Sequence, residues 1–207
     1  MNATRALRRA LGVVAAVAAA GLSATPAVAA TPTMPTPVAP LETCTEPALS
    51  QPFAAYEDFD FYTLAPGGDF DSADNGWELT RGASILPATQ PDGTTGGVLD
   101  LPSTAQAVSP PLCITSDYPT ARLWVRNLAG SEGVFFYVSY YDNGVWTKPK
   151  NTGQFHGTGS AWTLSRLMKV HPSGAAGWQQ VRFVFVAGGT RSRFQVDDFW
   201  VDPRMKY

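Results

Sequence analysis

Apolar residues in the second half of the chain recur with a period of two, which is the spacing of side chains on one face of a β-strand. Residues 121–126 read Ala-Arg-Leu-Trp-Val-Arg, so their apolar and arginine side chains would lie on opposite faces. Residues 134–142 form an aromatic and β-branched run that ends in the turn-forming Asp-Asn-Gly, and 145–147 resume as a hairpin partner. Residues 180–187 alternate in the same way. The pattern predicts antiparallel β-structure.

Short apolar segments between Gly, Pro, Asp and Asn turns bring the predicted total to about nine strands. The weaker strand candidates are 69–71, 77–80, 97–101, 106–109, 113–115, 162–170 and 193–202. Only 160–169 could form a helix, and the Val-His-Pro that follows it argues against one. Strands of this number and length predict an all-β fold, an antiparallel β-sandwich or jelly roll.

The N-terminal 29 residues have the composition of an export signal. Arg5, Arg8 and Arg9 precede an apolar core at 11–22, which is too short to span a bilayer, and Ala-Val-Ala at 27–29 suits signal peptidase. Residues 30–40 are rich in proline and threonine, which predicts an extended linker. We therefore expect a signal peptide (1–29), a linker (30–40) and a β-sandwich domain (41–207), secreted without membrane insertion.

Export would change the charge of the chain. The chain carries 15 Lys and Arg and 17 Asp and Glu, so loss of the three signal arginines leaves 12 bases and a net charge near −5. A negative field repels nucleic acid, and we expect no nucleic-acid partner. We also expect the domain to be a monomer.

The chain has two cysteines, Cys44 and Cys113. In an exported protein a cysteine pair is normally oxidised, so we predict a disulfide that ties the N-terminal segment to a strand. Two free thiols are the alternative, which an oxidising compartment disfavours.

Sequence signals of catalysis are sparse. The chain has no Gly-x-Ser-x-Gly, His-Glu-x-x-His or phosphate-binding glycine-rich motif, and we expect His156 and His171 to be exposed loop residues. Paired carboxylates, the minimum that a glycosidase needs, do occur. The pairs are Asp58/Asp60, Asp69/Asp71 and Asp197/Asp198. We therefore predict no enzyme, and a small glycan-active hydrolase stays open as an alternative.

Several short motifs follow one another in a fixed order. Residues 67–79 contain Gly-Gly-Asp-Phe-Asp and Trp-Glu-Leu, and 97–101 read Gly-Val-Leu-Asp-Leu. Residues 178–183 and 194–202 contain Trp-x-x-Val and Val-Asp-Asp-Phe. Together they resemble the carbohydrate-binding jelly rolls of the galactose-binding-like superfamily over 67–203. The resemblance implies that fold and a carbohydrate or cell-wall polymer as partner, and the alanine-rich signal suggests an actinobacterial-type secreted protein.

The last of these motifs changes the phase of its apolar residues. Phe194 and Val196 share one strand phase, whereas Phe199 and Val201 share the other. The apolar face therefore slips by one residue at Asp197-Asp198, which predicts a β-bulge.

The resemblance also implies a structural calcium ion, held by an acid of the opening motif and an aspartate of the closing pair. Carried over to this chain, the ligands are Asp71 and Asp198, with Asp69 as a third candidate. Calcium binds six to eight oxygens, which carboxylates and carbonyls supply. Asp71 stands where the family usually has the longer glutamate. The alternative is that the carboxylates bond to backbone amides at the bulge.

We predict the ligand site on one polar sheet face. Its residues are Arg122, Trp124 and Arg126 on one strand, Tyr137 and Tyr141 on the next, and Arg182 on a third. Aromatic rings stack on sugar rings, and Arg and Tyr donate hydrogen bonds to hydroxyls. The alternative is that Trp124 packs between the arginines in a surface cation–π stack, or lies under a loop.

These observations predict a secreted, non-catalytic β-sandwich that binds glycan or another cell-surface polymer. An extracellular structural or protein-interaction domain without glycan specificity is the second possibility, and the small hydrolase is the third. The resemblance carries most of the weight, because jelly rolls host many functions.

Overall fold

The computed structural model describes residues 31–33, 39–72, 74–117, 119–171, 173 and 175–204. The predicted signal peptide and the middle of the predicted linker lie outside the described residues. Within the described ranges, no helix is long and apolar enough to cross a membrane.

Fourteen strand segments follow a 3₁₀ turn at Ala54–Tyr56. In chain order they are β1 (Thr63–Leu64), β2 (Glu78–Thr80), β3 (Ser84–Thr89), β4 (Thr95–Pro102), β5 (Gln106–Val108), β6 (Leu112–Ile114), β7 (Thr120–Ala129), β8 (Val134–Asp142), β9 (Val145–Trp146), β10 (Lys150–Phe155), β11 (Thr163–Leu164), β12 (Met168–Lys169), β13 (Gln179–Ala187) and β14 (Arg193–Asp202).

These segments form two antiparallel sheets. Sheet I has the order β11-β7-β14-β4-β3, with β1 also paired to β14 and β12 to β7. Sheet II has the order β10-β8-β13-β5-β2, with β6 also paired to β13 and β9 to β8. The predicted all-β, antiparallel sandwich is confirmed. The segments outnumber the nine predicted strands partly because four of them are only two residues long.

The core lies between the two sheets and is rich in aromatic rings. Phe199 of sheet I packs edge-on against Phe183 and Phe185 of sheet II, with ring centroids 5.2 and 5.1 Å apart. Phe136 stacks on Phe183 at 5.2 Å, and Trp77 lies 5.4 Å from Phe185. Edge-on and offset pairs of this kind add about 0.5–1.5 kcal/mol each to the free energy of apolar burial. They fix the two sheets face to face.

Predicted and observed strands agree best where the sequence alternates most clearly. The bounds of β8 and β14 are as predicted, and the hairpin turn is made by Asn143 and Gly144, both at positive φ (48° and 84°). The strand predicted at 69–71 is wrong. This segment is a turn, in which Gly68 N–H donates to Ala65 O and Phe70 has a φ of 54°.

The disulfide between Cys44 and Cys113 is confirmed. The Cα atoms lie 5.6 Å apart, and the bridge closes a separation of 69 residues. It attaches the N-terminal segment to β6 of sheet II.

Candidate functional site

The outward side chains of β7, at the centre of the predicted ligand face, already have partners within the protein. Arg122 forms an ion pair with Asp58 at 2.6 Å. Arg126 donates to Gln195 Oε1 from Nε at 2.8 Å and from Nη2 at 2.6 Å, and its guanidinium lies 4.6 Å from the centre of the Trp162 ring. The two arginines are therefore held in place by internal contacts and remain only partly exposed.

Trp124 lies between these arginines on β7 and is half-buried. Its ring packs edge-on against Tyr56 of the 3₁₀ turn, with centroids 5.3 Å apart. Tyr56 itself is 54% exposed. The surface that a ligand would meet here is therefore shared between Trp124 and Tyr56, and a role in glycan binding stays a prediction.

The expectation that Tyr137, Tyr141 and Arg182 share a face with β7 is wrong. They belong to β8 and β13 of sheet II, whereas β7 belongs to sheet I. The link between β7 and β8 crosses from one sheet to the other instead of forming a hairpin. The six predicted ligand residues are therefore divided between opposite sides of the sandwich.

Arg182 is a buried residue of sheet II, with 0% of its surface exposed. It pairs with Glu78, and its Nε donates to Ser109 O at 2.9 Å. A guanidinium without solvent contact cannot donate to a soluble ligand. The placement of Arg182 on an open face is wrong, because Glu78, Ser109 and the Trp146 ring surround its guanidinium, 5.7 Å from the ring centre, on the outer side of sheet II.

The two tyrosines of β8 have apolar surroundings on the outer side of sheet II. Tyr137 is buried with Val108, Val184 and Val186. Tyr141 is half-buried and packs against Trp146, with ring centroids 5.2 Å apart.

The β-bulge predicted at Asp197-Asp198 is confirmed. The register between β14 and β7 shifts between Asp197 and Trp200, and Asp198 has a φ of 50°. At this point β14 exchanges one neighbour for another, from β4 at Val196 to β1 at Trp200. The bulge therefore lies where one edge of β14 is free to receive the loop that contains Asp69 and Asp71.

The acids around the bulge share a strongly negative environment. Asp197 is 1% exposed, and burial together with repulsion from Asp198 raises its pKa to about 8, with smaller contributions from Asp71 and Asp69. Burial also raises the pKa of Asp198, followed by repulsion from Asp69, Asp71 and Asp92. The predicted metal ligands are thus close enough to affect one another's charge.

These acids also bond to the backbone, as the alternative to calcium requires. Asp71 Oδ1 accepts from Gly97 N–H at 3.0 Å and from Gln90 Nε2 at 2.8 Å, and Asp197 Oδ1 accepts from Asp198 N–H at 2.9 Å. Within the part of the chain that the structure describes, no three Asp, Glu, His or Cys side chains are grouped as metal ligands. A calcium ion here would need main-chain oxygens as well, and calcium stays a prediction.

A groove of about 850 Å³ lies where the edges of the two sheets meet. One wall is β10, the edge strand of sheet II, and the other is β11 to β12 at the edge of sheet I. We call it the edge groove. The buried side chains of Phe136, Phe155 and Met168 form its apolar floor.

Five exposed polar side chains surround this floor. Gln154, His156 and Thr158 come from β10 and the residues that follow it, and Arg166 and Lys169 come from the opposite wall. All five can donate hydrogen bonds. Among the described residues that line the groove, none is an aspartate or glutamate. The groove therefore has hydrogen-bond donors and apolar surface but lacks the two carboxylates of a glycosidase.

Sequence reasoning missed this groove because it missed β10. The segment Lys150–Phe155 reads Lys-Asn-Thr-Gly-Gln-Phe, which has no β-branched or aromatic alternation, and a register shift between Asn151 and Gly153 interrupts it. The one available signal was Phe155, an isolated aromatic before His156. Both histidines are exposed as predicted, but His156 lines the groove.

No protein-family model matches the chain, and no curated protein matches it. Solved structures do match. A Clostridium thermocellum xylanase comprising CBM22-1 and GH10 modules, complexed with xylohexaose, aligns with a TM-score of 0.52 at 15% identity, over 72% of this chain and 29% of that chain.

Two isolated modules align over nearly their whole length. The CBM22-1 xylan-binding domain of Paenibacillus barcinonensis Xyn10C has a TM-score of 0.44 at 13% identity, over 67% of this chain and 94% of that chain. TmCBM61, in complex with β-1,4-galactotriose, has a TM-score of 0.41 at 10% identity, over 66% and 93%. At such identities a likeness concerns the fold alone, and the match to the xylanase agrees with the antiparallel β-sandwich of this chain.

Proposed function

We propose that this protein is a secreted, non-catalytic module that binds glycan in the edge groove. The observation that carries the proposal is the composition of the groove, which combines a buried apolar floor with five exposed donors and, among the described lining residues, no carboxylate. Its volume of about 850 Å³ lies within the usual range of small-ligand sites.

The chemistry of a sugar matches this arrangement. A pyranose ring has apolar C–H faces, which would pack over Phe155 and Met168, and a rim of hydroxyls, which would accept from Gln154 and Arg166. Because the groove lies along two sheet edges, a chain of several sugar units could lie in it.

The edge groove is a better candidate than the outer face of β7. Arg122 and Arg126 are already bonded to Asp58 and Gln195, so a ligand would have to compete with those contacts. In the described residues neither Arg166 nor Lys169 has an ion-pair partner.

Two further facts support an extracellular glycan binder. The disulfide between Cys44 and Cys113 is typical of proteins that leave the cytoplasm. The fold is shared with a xylanase complexed with xylohexaose, although fold analogy alone does not assign a ligand.

Affinity electrophoresis against soluble polysaccharides tests the proposal. We expect retardation by at least one of xylan, galactan and mixed-linked glucan. Gln154→Ala combined with Arg166→Ala should weaken binding about tenfold or more, because each removes hydrogen bonds worth about 1 kcal/mol. Lys148→Ala is the matched control, since Lys148 is exposed and lies outside the groove. Absence of retardation by every polysaccharide, or equal weakening by the control, would overturn the proposal.

We also propose a structural calcium ion near Asp69, Asp71 and Asp198. The raised pKa values of Asp197 and Asp198 support it, because they reflect negative charge that a bound cation would relieve. Main-chain carbonyls would complete the oxygen ligands. The ion would stabilise the junction at the bulge and take no part in glycan binding at the edge groove.

A further inference from the structure

Two glutamines on the outer face of sheet II bind the backbone of the N-terminal segment. Gln106 Oε1 accepts from Thr33 N–H at 3.0 Å, and Gln106 Nε2 donates to Thr33 O at 2.6 Å. Gln180 Oε1 accepts from Leu41 N–H at 2.8 Å, and Gln180 Nε2 donates to Leu41 O at 2.7 Å. Each glutamine therefore binds both backbone groups of a single residue.

The two glutamines recognise an extended polypeptide through its backbone alone, and Arg81 adds one side-chain contact, donating to Thr33 Oγ1 at 3.4 Å. A primary amide offers one acceptor and two donors, so it bonds to one residue as a neighbouring antiparallel strand would. The contacts require only that the bound residue has a free N–H and an accessible carbonyl. The recognised feature is therefore extended backbone.

The proline content of the segment explains why side chains replace a strand. Pro32 precedes Thr33, and Pro40 precedes Leu41. Proline lacks an N–H, so a segment with this much proline cannot form a continuous strand ladder with the sheet. The two glutamines instead bind two of the residues that keep their N–H.

The chain between Thr33 and Leu41 is long enough to connect the two contacts along the sheet. Gln106 pairs with Val186, six residues from Gln180 on β13, which corresponds to about 20 Å along the strand. Thr33 and Leu41 are eight residues apart, a separation that spans about 25 Å in a polyproline conformation. The Cys44–Cys113 disulfide fixes the end next to Leu41, since Cys113 pairs in register with Gln180.

The face that carries the glutamines is itself covered. Gln106 is 0% exposed, and the outward-facing Val108, Val184 and Val186 are also fully buried. Burial of a polar amide is favourable only when its hydrogen bonds are made, and Gln106 makes them to Thr33. The N-terminal segment therefore supplies hydrogen bonds that the buried amide of Gln106 needs.

From these contacts we infer that the outer face of sheet II is a binding site for an extended, proline-rich polypeptide, and that its ligand is the N-terminal segment of the same chain. The segment acts as a strap across the sheet, held at both ends by glutamine amide pairs. This inference is independent of the proposed glycan function, because the edge groove uses neither glutamine.

Amide hydrogen exchange in the chain starting at Ala30 tests the strap. Thr33 and Leu41 N–H should exchange at least about tenfold more slowly than in an unstructured peptide. Gln180→Met should abolish the protection of Leu41, and Gln106→Met that of Thr33. Gln179→Met is the matched control, because the neighbouring Gln179 bonds to Ser173 and Ala175 instead.

A variant on the ligand side keeps the test decisive where Gln106→Met fails to fold. Thr33→Pro removes the N–H that donates to Gln106 Oε1 and should detach residue 33 from the sheet. Gln106 Nε2 then loses its acceptor, Thr33 O, and the side-chain amide of Gln106 should exchange at least about tenfold faster. Unprotected Thr33 and Leu41 in the unaltered chain would overturn the inference. Protection of Leu41 N–H that survives Gln180→Met, or an unchanged exchange rate of the Gln106 side-chain amide in Thr33→Pro, would overturn it as well.

Discussion

The outer faces of the two sheets have the same alternating strand pattern, but their outward side chains are covered in different ways. On sheet I, arginines pair with polar neighbours at the surface, as Arg122 does with Asp58 and Arg193 with Asp100. On sheet II, Arg182 is fully buried beside valines, and glutamines bind the N-terminal segment. The outward phase of a strand therefore does not imply exposure, and the surface left open lies at the sheet edges.

The largest difference in the free energy of unfolding should appear between two single variants, each with one arginine replaced by alanine on a different face. Arg182→Ala leaves Glu78 and Ser109 O without their partner, so we expect a loss of about 3–5 kcal/mol in the free energy of unfolding. Arg126→Ala, on sheet I, should cost about 1 kcal/mol or less because the residue is partly solvated. Urea unfolding of both variants measures the difference. Equal losses would contradict the conclusion that the outer face of sheet II is covered and that of sheet I is partly solvated.

The acid cluster of sheet I should make stability depend on pH. Asp197 has a pKa of about 8 in the folded protein against 3.8 normally, so between these values the folded state holds a proton that the unfolded state has released. The free energy of unfolding should therefore fall as pH rises, by about 3 kcal/mol between pH 5.5 and 8 in calcium-free buffer. Asp197→Asn should remove most of this slope. A slope that Asp197→Asn leaves unchanged would refute the role of Asp197.

Calcium binding to the same acid cluster should change the stability of the protein by less than the change in pH does. Because a cation relieves the repulsion, added calcium should raise the melting temperature by a few degrees at pH 8 and less at pH 5.5. Asp198→Asn should abolish the increase, and Asp142→Asn, a change at an exposed hairpin, is the control. A melting temperature that calcium leaves unchanged at both pH values would contradict the proposed ion.

The smallest effect should follow from Trp124→Ala on sheet I. Trp124 is half-buried and outside the core, and its aromatic partner is the exposed Tyr56. We expect a loss of about 1 kcal/mol in the free energy of unfolding. Polysaccharide binding by the edge groove should not change. A binding loss larger than that of the groove variants would move the site to the face of β7.

Sequence predicted the elements whose signals are local. The aromatic run predicted the bounds of β8, the change of apolar phase located the bulge at Asp197-Asp198, and two cysteines behind a predicted export signal implied their disulfide. The strand β3 was missed because it contains Pro87, a residue that usually excludes a strand interior. Local patterns thus identify most strands.

Which strands lie side by side was not visible in the sequence. Consecutive strands are usually neighbours, so β7 and β8 were placed together, yet they lie in different sheets. That error divided the predicted ligand face between the two sheets. Arg182 was placed on the surface because strand phase does not show that the outer side of sheet II is covered. The edge groove was missed because β10 was not predicted, and because β10 and β12 pair with different sheets.

Mapping of backbone amide shifts during titration with an oligosaccharide, such as xylohexaose or β-1,4-galactotriose, tests directly whether glycan binds in the edge groove. We expect the shifts to concentrate at 152–158 and 163–169, the two walls of the edge groove, while β7 and the outer face of sheet II stay unchanged. Shifts that centre on Trp124 and Arg126, or no shifts with any oligosaccharide, would contradict it.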